Sequence, residues 1–277
     1  METSLADLFR PRTLQDAVAI TARGGVTLMA GCTDLFPATP AQSLRGPMLD
    51  LTTVEGLRGV TRDGAGWRIG ATTTWAEIAR ADLPPAFDGL RAAAREVGAV
   101  QIQNAGTLGG NLCNASPAAD GVPPLLTLDA AVELVSAQGR RVLPLADFLT
   151  GPRRTALRPG ELLAAVLIPD DAGRGVFLKL GARASLVISI VMVAARVVVR
   201  DGRIASAALA VGACSPVAVR LPALEAALQG APVAEAVGRI AAGLVPLVPL
   251  TDIRAGAEYR AGAAVTLLRR ALAGAMA

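Results

Sequence analysis

The spacing of apolar positions changes several times along the chain, and each change predicts an element. Residues 14–23 (LQDAVAITAR) repeat apolar side chains three and four apart, which predicts a helix ended by Gly24-Gly25. Val26–Met29 is a short apolar run, read as a buried strand. It passes directly into a turn of small residues, Ala30-Gly31-Cys32-Thr33-Asp34. Leu49–Leu51 reads as a strand end, and Trp67–Ala71 as a further strand. An amphipathic helix follows at Trp75–Arg80 with Thr74 as its candidate cap. Pro84-Pro85 break the chain before a helical stretch at Phe87–Glu96. Val122–Leu128 is predicted helical, and Val132–Ala137 pairs with Arg141–Leu145 through Gln138-Gly139-Arg140. Val176–Ala182 is a predicted strand. Leu186–Val199 is the most apolar run and reads as a buried one. Val187–Arg200 and Arg203–Ala213 are expected to form a hairpin across Asp201-Gly202. Helices are expected from Pro216 to Leu228, over Val233–Leu244 and over Arg254–Ala275.

One stretch has neither period. Residues 101–120, QIQNAGTLGGNLCNASPAAD, contain scarcely a large apolar side chain. They read as a polar loop with Thr107, Gly109, Gly110, Asn111, Asn114, Ser116 and Asp120. Adjacent glycines let backbone approach a ligand closely, and outward-turned amides form a nest for anions, phosphates above all. A pair of glycines alone is more often an ordinary turn. Ala30–Asp34 is a second possible cradle, with the amides of Gly31 to Asp34 as candidate donors; a tight turn with an Asx cap is the bland alternative.

Composition narrows the chemistry. The 277 residues are 52% hydrophobic with 3% aromatics, enough for a sizeable core in one large domain or two. A net charge of +4 on scattered basic residues argues against nucleic acid. No residue is histidine, so Ser-His-Asp hydrolysis, a His-ligated zinc and a histidyl-linked flavin are all impossible in this chain. Three widely spaced cysteines, Cys32, Cys113 and Cys214, are too few for a four-thiolate cluster and form no disulfide framework. The charged N-terminus is no signal peptide, and no run is long enough to span a bilayer, so a cytoplasmic location is expected. The dinucleotide fingerprint G-x-G-x-x-G is missing, which disfavours a Rossmann site.

The run from Thr107 to Asp120 matches T-x-G-G-N-x-x-x-x-S-P-x-x-D without a gap. In this it resembles the FAD-binding (medium) subunits of molybdenum hydroxylases, the family of the carbon monoxide dehydrogenase and bacterial xanthine dehydrogenase flavoproteins. AGCTDL at residues 30–35 is similar to the family's A-G-G-T-D-L, with Cys32 in place of a glycine. Residues 147–169 resemble a further signature through Gly151, Arg153, Thr155, Leu157, Glu161 and Ile168-Pro169, with Pro152 where the family has tyrosine. The resemblance implies non-covalent FAD. Met29 to Asp34 and Thr107, Gly109 and Gly110 would face its pyrophosphate. Asn111 and Asn114 would belong to the same site. Asp120 would contact a hydroxylated part of the cofactor, Ile168 would lie against the ring system, and Lys179 would approach the pyrimidine edge. A cation there favours the negative charge of the reduced flavin. Val187 stands where nearby relatives have Asp.

The resemblance also implies an α+β fold in two parts. Residues 1–173 would be a two-lobed FAD-binding domain of the vanillyl-alcohol-oxidase (PCMH) type, with lobes at about 1–55 and 56–173. Residues 174–277 would be the C-terminal domain of carbon-monoxide-dehydrogenase flavoproteins, a small antiparallel sheet with helices. The boundary is expected in the polar run 170–174. Function is then electron transfer from a partner [2Fe-2S] subunit to an external acceptor. Molybdopterin would sit in a large partner subunit, and the assembly would be a dimer of heterotrimers. A self-contained flavin oxidoreductase and a flavin-free structural subunit are the alternatives.

Overall fold

The computed structural model describes residues 7–39, 44–170 and 172–277. The charged N-terminus (1–6) and Asp171 of the expected boundary run lie outside the described residues. Strand β1 (Leu8–Phe9), helix α1 (Leu14–Ala22) and strands β2 (Thr27–Met29) and β3 (Met48–Asp50) come first. They make a small parallel sheet in the order β1-β3-β2. Thr13 caps α1 by accepting the Asp16 amide.

A five-stranded antiparallel sheet follows, built from β4 (Val60–Asp63), β5 (Gly66–Gly70), β6 (Ala131–Ser136), β7 (Gly139–Pro144) and β10 (Leu162–Pro169) in the order β4-β5-β10-β6-β7. Between β5 and β6 run helices α2 (Trp75–Arg80), α3 (Asp88–Glu96), α4 (Val100–Ala105), α5 (Leu108–Asn114) and α6 (Val122–Thr127). The short helix α7 (Leu145–Phe148) and the hairpin β8 (Leu149–Gly151) and β9 (Arg154–Thr155) lie between β7 and β10. Helix α2 begins on a complete capping box, Thr74 accepting the Glu77 amide while the Glu77 carboxylate accepts the Thr74 amide. The core beneath is aliphatic around Trp75, Phe87 and Phe148.

The rest of the chain forms a four-stranded antiparallel sheet of β11 (Arg174–Leu180), β12 (Val191–Arg200), β13 (Arg203–Gly212) and β14 (Val219–Arg220). Helices α8 (Pro222–Leu228), α9 (Val233–Ala236) and α10 (Ala257–Met276) accompany it, and α10 packs across β12 and β11. Asp201-Gly202 turns the β12–β13 hairpin as expected, with both residues in the left-handed region (φ 50° and 70°). The expected helix over Val233–Leu244 is instead broken after Ala236 into short 3₁₀ turns. The apolar run from Leu186 does not enter the sheet until Val191. Leu186 is left-handed (φ 54°), and its neighbours leave the strand direction. No helix among the described residues is long and apolar enough to cross a membrane.

The two large sheets meet through α3 and α6. Gly89 of α3 and Gly175 of β11 permit this approach: a β-carbon on Gly175 would stand 2.3 Å from the Ala86 carbonyl oxygen. Asp129 accepts from both Arg196 (3.3 Å) and Arg220 (2.7 Å) of the second sheet, and those arginines also donate to the carbonyls of Thr127 and Leu126.

Asp252 and Arg260 hold α10 in place. The Arg254 amide, and more weakly the Arg260 guanidinium, bring the Asp252 carboxyl down to about 2 from the ordinary 3.8, against the opposing effect of burial. A folded-state pKa below the unfolded one stabilises the fold at pH above the unfolded value, and that contribution is lost as pH falls through the folded value. Stability measured by urea titration is therefore expected to drop between about pH 4 and pH 2. In Asp252→Asn this part of the pH dependence should vanish, and an unchanged slope would refute the assignment.

Candidate functional site

A cavity of about 930 Å3 opens where the small parallel sheet, α4, α5 and the β11 edge of the four-stranded sheet converge. Its volume is at the upper end of the roughly 300–1,000 Å3 found for cofactor sites. Strand β2 delivers the first wall. After Met29 the chain turns through Ala30–Asp34, all of which line the cavity. Cys32 takes the left-handed conformation (φ 57°), and its thiol donates to the Ala30 carbonyl at 3.4 Å. Burial raises the Cys32 thiol above its ordinary value, which keeps it protonated. Among the described residues, the amides of Gly31, Cys32, Thr33 and Asp34 donate to no protein acceptor. Polar N–H groups in a concave wall ordinarily find a partner, so this turn is suited to an anionic ligand. Gly31 faces α4 closely: an added β-carbon would lie 1.9 Å from the Ala105 carbonyl oxygen and 2.9 Å from the Gly106 Cα.

The second wall differs from its expected form. Residues 108–114 are helix α5 rather than a loop, and Thr107 is its N-cap, accepting the Gly110 amide at 3.1 Å. The Leu108 amide donates to Thr73, the Gly109 amide to Ala71 (2.8 Å) and the Asn111 amide to the Thr107 carbonyl. The amides expected to form a nest are thus spent on holding α5 against the β5–α2 connection. Neither Gly109 nor Gly110 has positive φ. Gly109 is required by contact, since a β-carbon there would meet Ala71 Cβ at 2.7 Å. What this wall offers a ligand is side chains. Asn111 Oδ1 is buried without a partner, while Asn114 Oδ1 accepts from Arg153, which is left-handed (φ 57°) in the β8–β9 turn. Cys113 is exposed and opens on the cavity.

Asp120 and Lys179 form the third wall and pair with each other. Lys179 Nζ donates to Asp120 Oδ2 at 2.6 Å and to the Glu96 carbonyl at 3.3 Å, and Ser189 Oγ donates to Asp120 Oδ1 at 2.6 Å. Burial raises the Asp120 carboxyl, opposed by the attraction and hydrogen bond of Lys179. The ammonium is therefore not a free charge: its nearest counter-ion is already in the protein.

Of the fourteen residues singled out from sequence, Ile168 alone does not line the cavity. It is 2% exposed, opposite Trp67 in the β5–β10 pairing, within the core. The register shift between Leu163 and Ala165 resets which face the rest of β10 presents. Leu162 and Leu163, at its other end, reach the cavity instead. Sequence reading also missed that Ile102, Leu157, Leu186 and Ile188 join Val97 and Val187 in an apolar wall. Helix α4 buries none of its residues, and its Ile102 lines the cavity. Among the described residues no cluster of three or more His, Cys, Asp or Glu could hold a metal.

Comparison with known proteins finds relatives over both parts of the chain. Residues 3–171 match the family model of the FAD-binding domain in molybdopterin dehydrogenase, and residues 177–275 that of the CO dehydrogenase flavoprotein C-terminal domain. The chain is 30% identical to the xanthine dehydrogenase FAD-binding subunit of Escherichia coli O157:H7, over 98% of this chain and 96% of the relative. It is 30% identical to the carbon monoxide dehydrogenase medium chain of Afipia carboxidovorans, over 96% and 95%. The reconstituted CO dehydrogenase from Oligotropha carboxidovorans superposes with a TM-score of 0.89 at 29% identity, covering 99% of each chain.

Proposed function

The chain belongs to the family of FAD-binding subunits of molybdopterin dehydrogenases, and from that premise we propose how its own residues serve an electron-transferring flavin. When bound, FAD supplies the redox chemistry, taking up electrons and passing them on. The observation that carries the assignment of roles is the set of unpartnered amides at Gly31–Asp34. They would hold the pyrophosphate, with Gly31 bringing the backbone close and the buried Asn111 Oδ1 accepting from the cofactor. Asp120 and Lys179 would bound the polar side of the site as a neutral pair, and the apolar wall of Val97, Ile102 and Leu186–Ile188 would exclude water from the ring system. No step in this requires a general base, in keeping with a chain that lacks histidine.

The full assembly would join this chain to an iron–sulfur subunit and a large molybdopterin subunit, as a dimer of such trimers. Purification from the native host should recover both partners with iron and molybdenum. Denaturing the complex should release unmodified FAD, about one per chain, since no histidine is present for a covalent link. A lone chain that oxidises an organic substrate unaided would refute the subunit role. Flavin that stays with the denatured polypeptide would refute non-covalent binding.

We propose that a quinone-like carrier, a dye or oxygen serves as acceptor in preference to NAD. Pro152, exposed at the tip of the β8–β9 turn, offers neither an aromatic face nor a backbone donor to a nicotinamide. Quinone analogues and dyes should be reduced faster than NAD by the complete complex. Equal rates with NAD would overturn this.

A further inference from the structure

Asp120 receives two donors from opposite ends of one chain segment. Lys179 lies at the end of β11, Ser189 just before β12, and each donates to a different oxygen of the carboxylate at 2.6 Å. Strand pairing already closes the base of this connection through the Ile190 amide and the Leu180 carbonyl at 2.8 Å. The bonds to Asp120 do something else: they tie that base to the domain carrying α5. Beyond the base the connection folds on itself, with Leu186 left-handed and Arg183 donating to the carbonyls of Ser185 and Leu186. Leu186 and Ile188 are each 53% exposed, and with Val187 they line the cavity. Among the described residues, no hydrogen bond of residues 181–188 reaches across to that domain.

We propose that Asp120 is a positioning residue that clamps both ends of the 180–189 connection, and thereby holds residues 186–188 as a flap forming one wall of the cofactor cavity. Its carboxylate suits this because two oxygens can each accept a strong, charge-assisted or short hydrogen bond at once. Ser189 is the more informative partner, since it has no other hydrogen bond from its hydroxyl and lies outside the cavity lining. The flap reading rests on the FAD assignment only where cofactor release is concerned.

The test is hydrogen–deuterium exchange of the full chain, followed in peptides covering residues 181–189, for the wild type, Ser189→Ala and Asp120→Asn. A hydrogen bond to a charged group corresponds to about a tenfold change in an opening equilibrium. Exchange in this segment should therefore rise about tenfold in Ser189→Ala and further in Asp120→Asn, with peptides of α10 unchanged. FAD dissociation from the loaded chain should accelerate in the same order. Ser189→Ala removes only a hydroxyl, so it decides the matter even if Asp120→Asn fails to fold. Unchanged exchange in Ser189→Ala would overturn the proposal, whether or not FAD binds. Faster exchange in a chain that retains no FAD would uphold the clamp and defeat the FAD assignment instead.

Discussion

Gly31→Ala is expected to abolish FAD retention while leaving the chain folded. The added methyl would lie 1.9 Å from the Ala105 carbonyl oxygen, 2.6 Å from its carbon and 2.9 Å from Gly106 Cα. All three are backbone atoms at the end of α4, so no side-chain rotation relieves the contact. The turn must move away from α4, taking the four unpartnered amides with it. Overpacking of this kind costs about 1–3 kcal/mol, and a similar loss of binding energy corresponds to roughly 5- to 150-fold weaker binding. Purified Gly31→Ala should show a flavin-to-protein ratio well below the wild type. Gly110→Ala is the matched control. Its β-carbon would meet only Thr107 Oγ1, at 2.8 Å, and alanine in a helix offsets part of the cost. Its occupancy should fall less. Full occupancy in Gly31→Ala, or a greater loss in Gly110→Ala, would show that α5 rather than the Gly31 turn holds the anion.

Arg260→Leu is expected to unfold the C-terminal domain at temperatures where the wild type is stable. Arg260 is 2% exposed, yet its guanidinium donates to the carbonyls of Ile190 (2.6 Å) and Ala213 (2.9 Å) and to Asp252 (2.6 Å). It joins the start of α10 to the ends of β12 and β13. Leucine would leave two buried carbonyls without donors and a carboxylate without its cation, a loss of about 3–5 kcal/mol. For a domain of this size, that lowers Tm by more than about 10 °C. Calorimetry should show the transition of this domain moving down. Because Ala213 donates its amide to the Pro117 carbonyl and Ile190 adjoins Ser189, the cavity rim should loosen as well. An unshifted transition would mean the buried guanidinium is dispensable.

The helix α2, the Asp201-Gly202 hairpin and the buried strand β12 were legible in the chain because their causes are local. A capping box is four residues long, and a two-residue turn depends on its own φ values. Thirteen of the fourteen residues singled out also line one cavity, so the motif from Thr107 to Asp120 and the turn at Ala30 point to one place in the fold. How those residues work was not legible. The Gly109 amide is engaged because Ala71 happens to lie opposite it, whereas the Gly31 amide is free because nothing does. Both glycines look alike in sequence. Likewise Lys179 and Asp120 read as two separate contacts to a ligand, and only the meeting of β11 with the α5–α6 connection brings them within 2.6 Å of each other. Ile168 sits in the core and Leu163 at the cavity because register across β5 and β6, with a shift between Leu163 and Ala165, decides which face each presents. The amino-acid order determined the elements and the inventory of polar groups. Which donors were left over for a cofactor was decided by tertiary structure, because a hydrogen bond is consumed by whichever acceptor comes within about 3 Å, however distant it is along the chain.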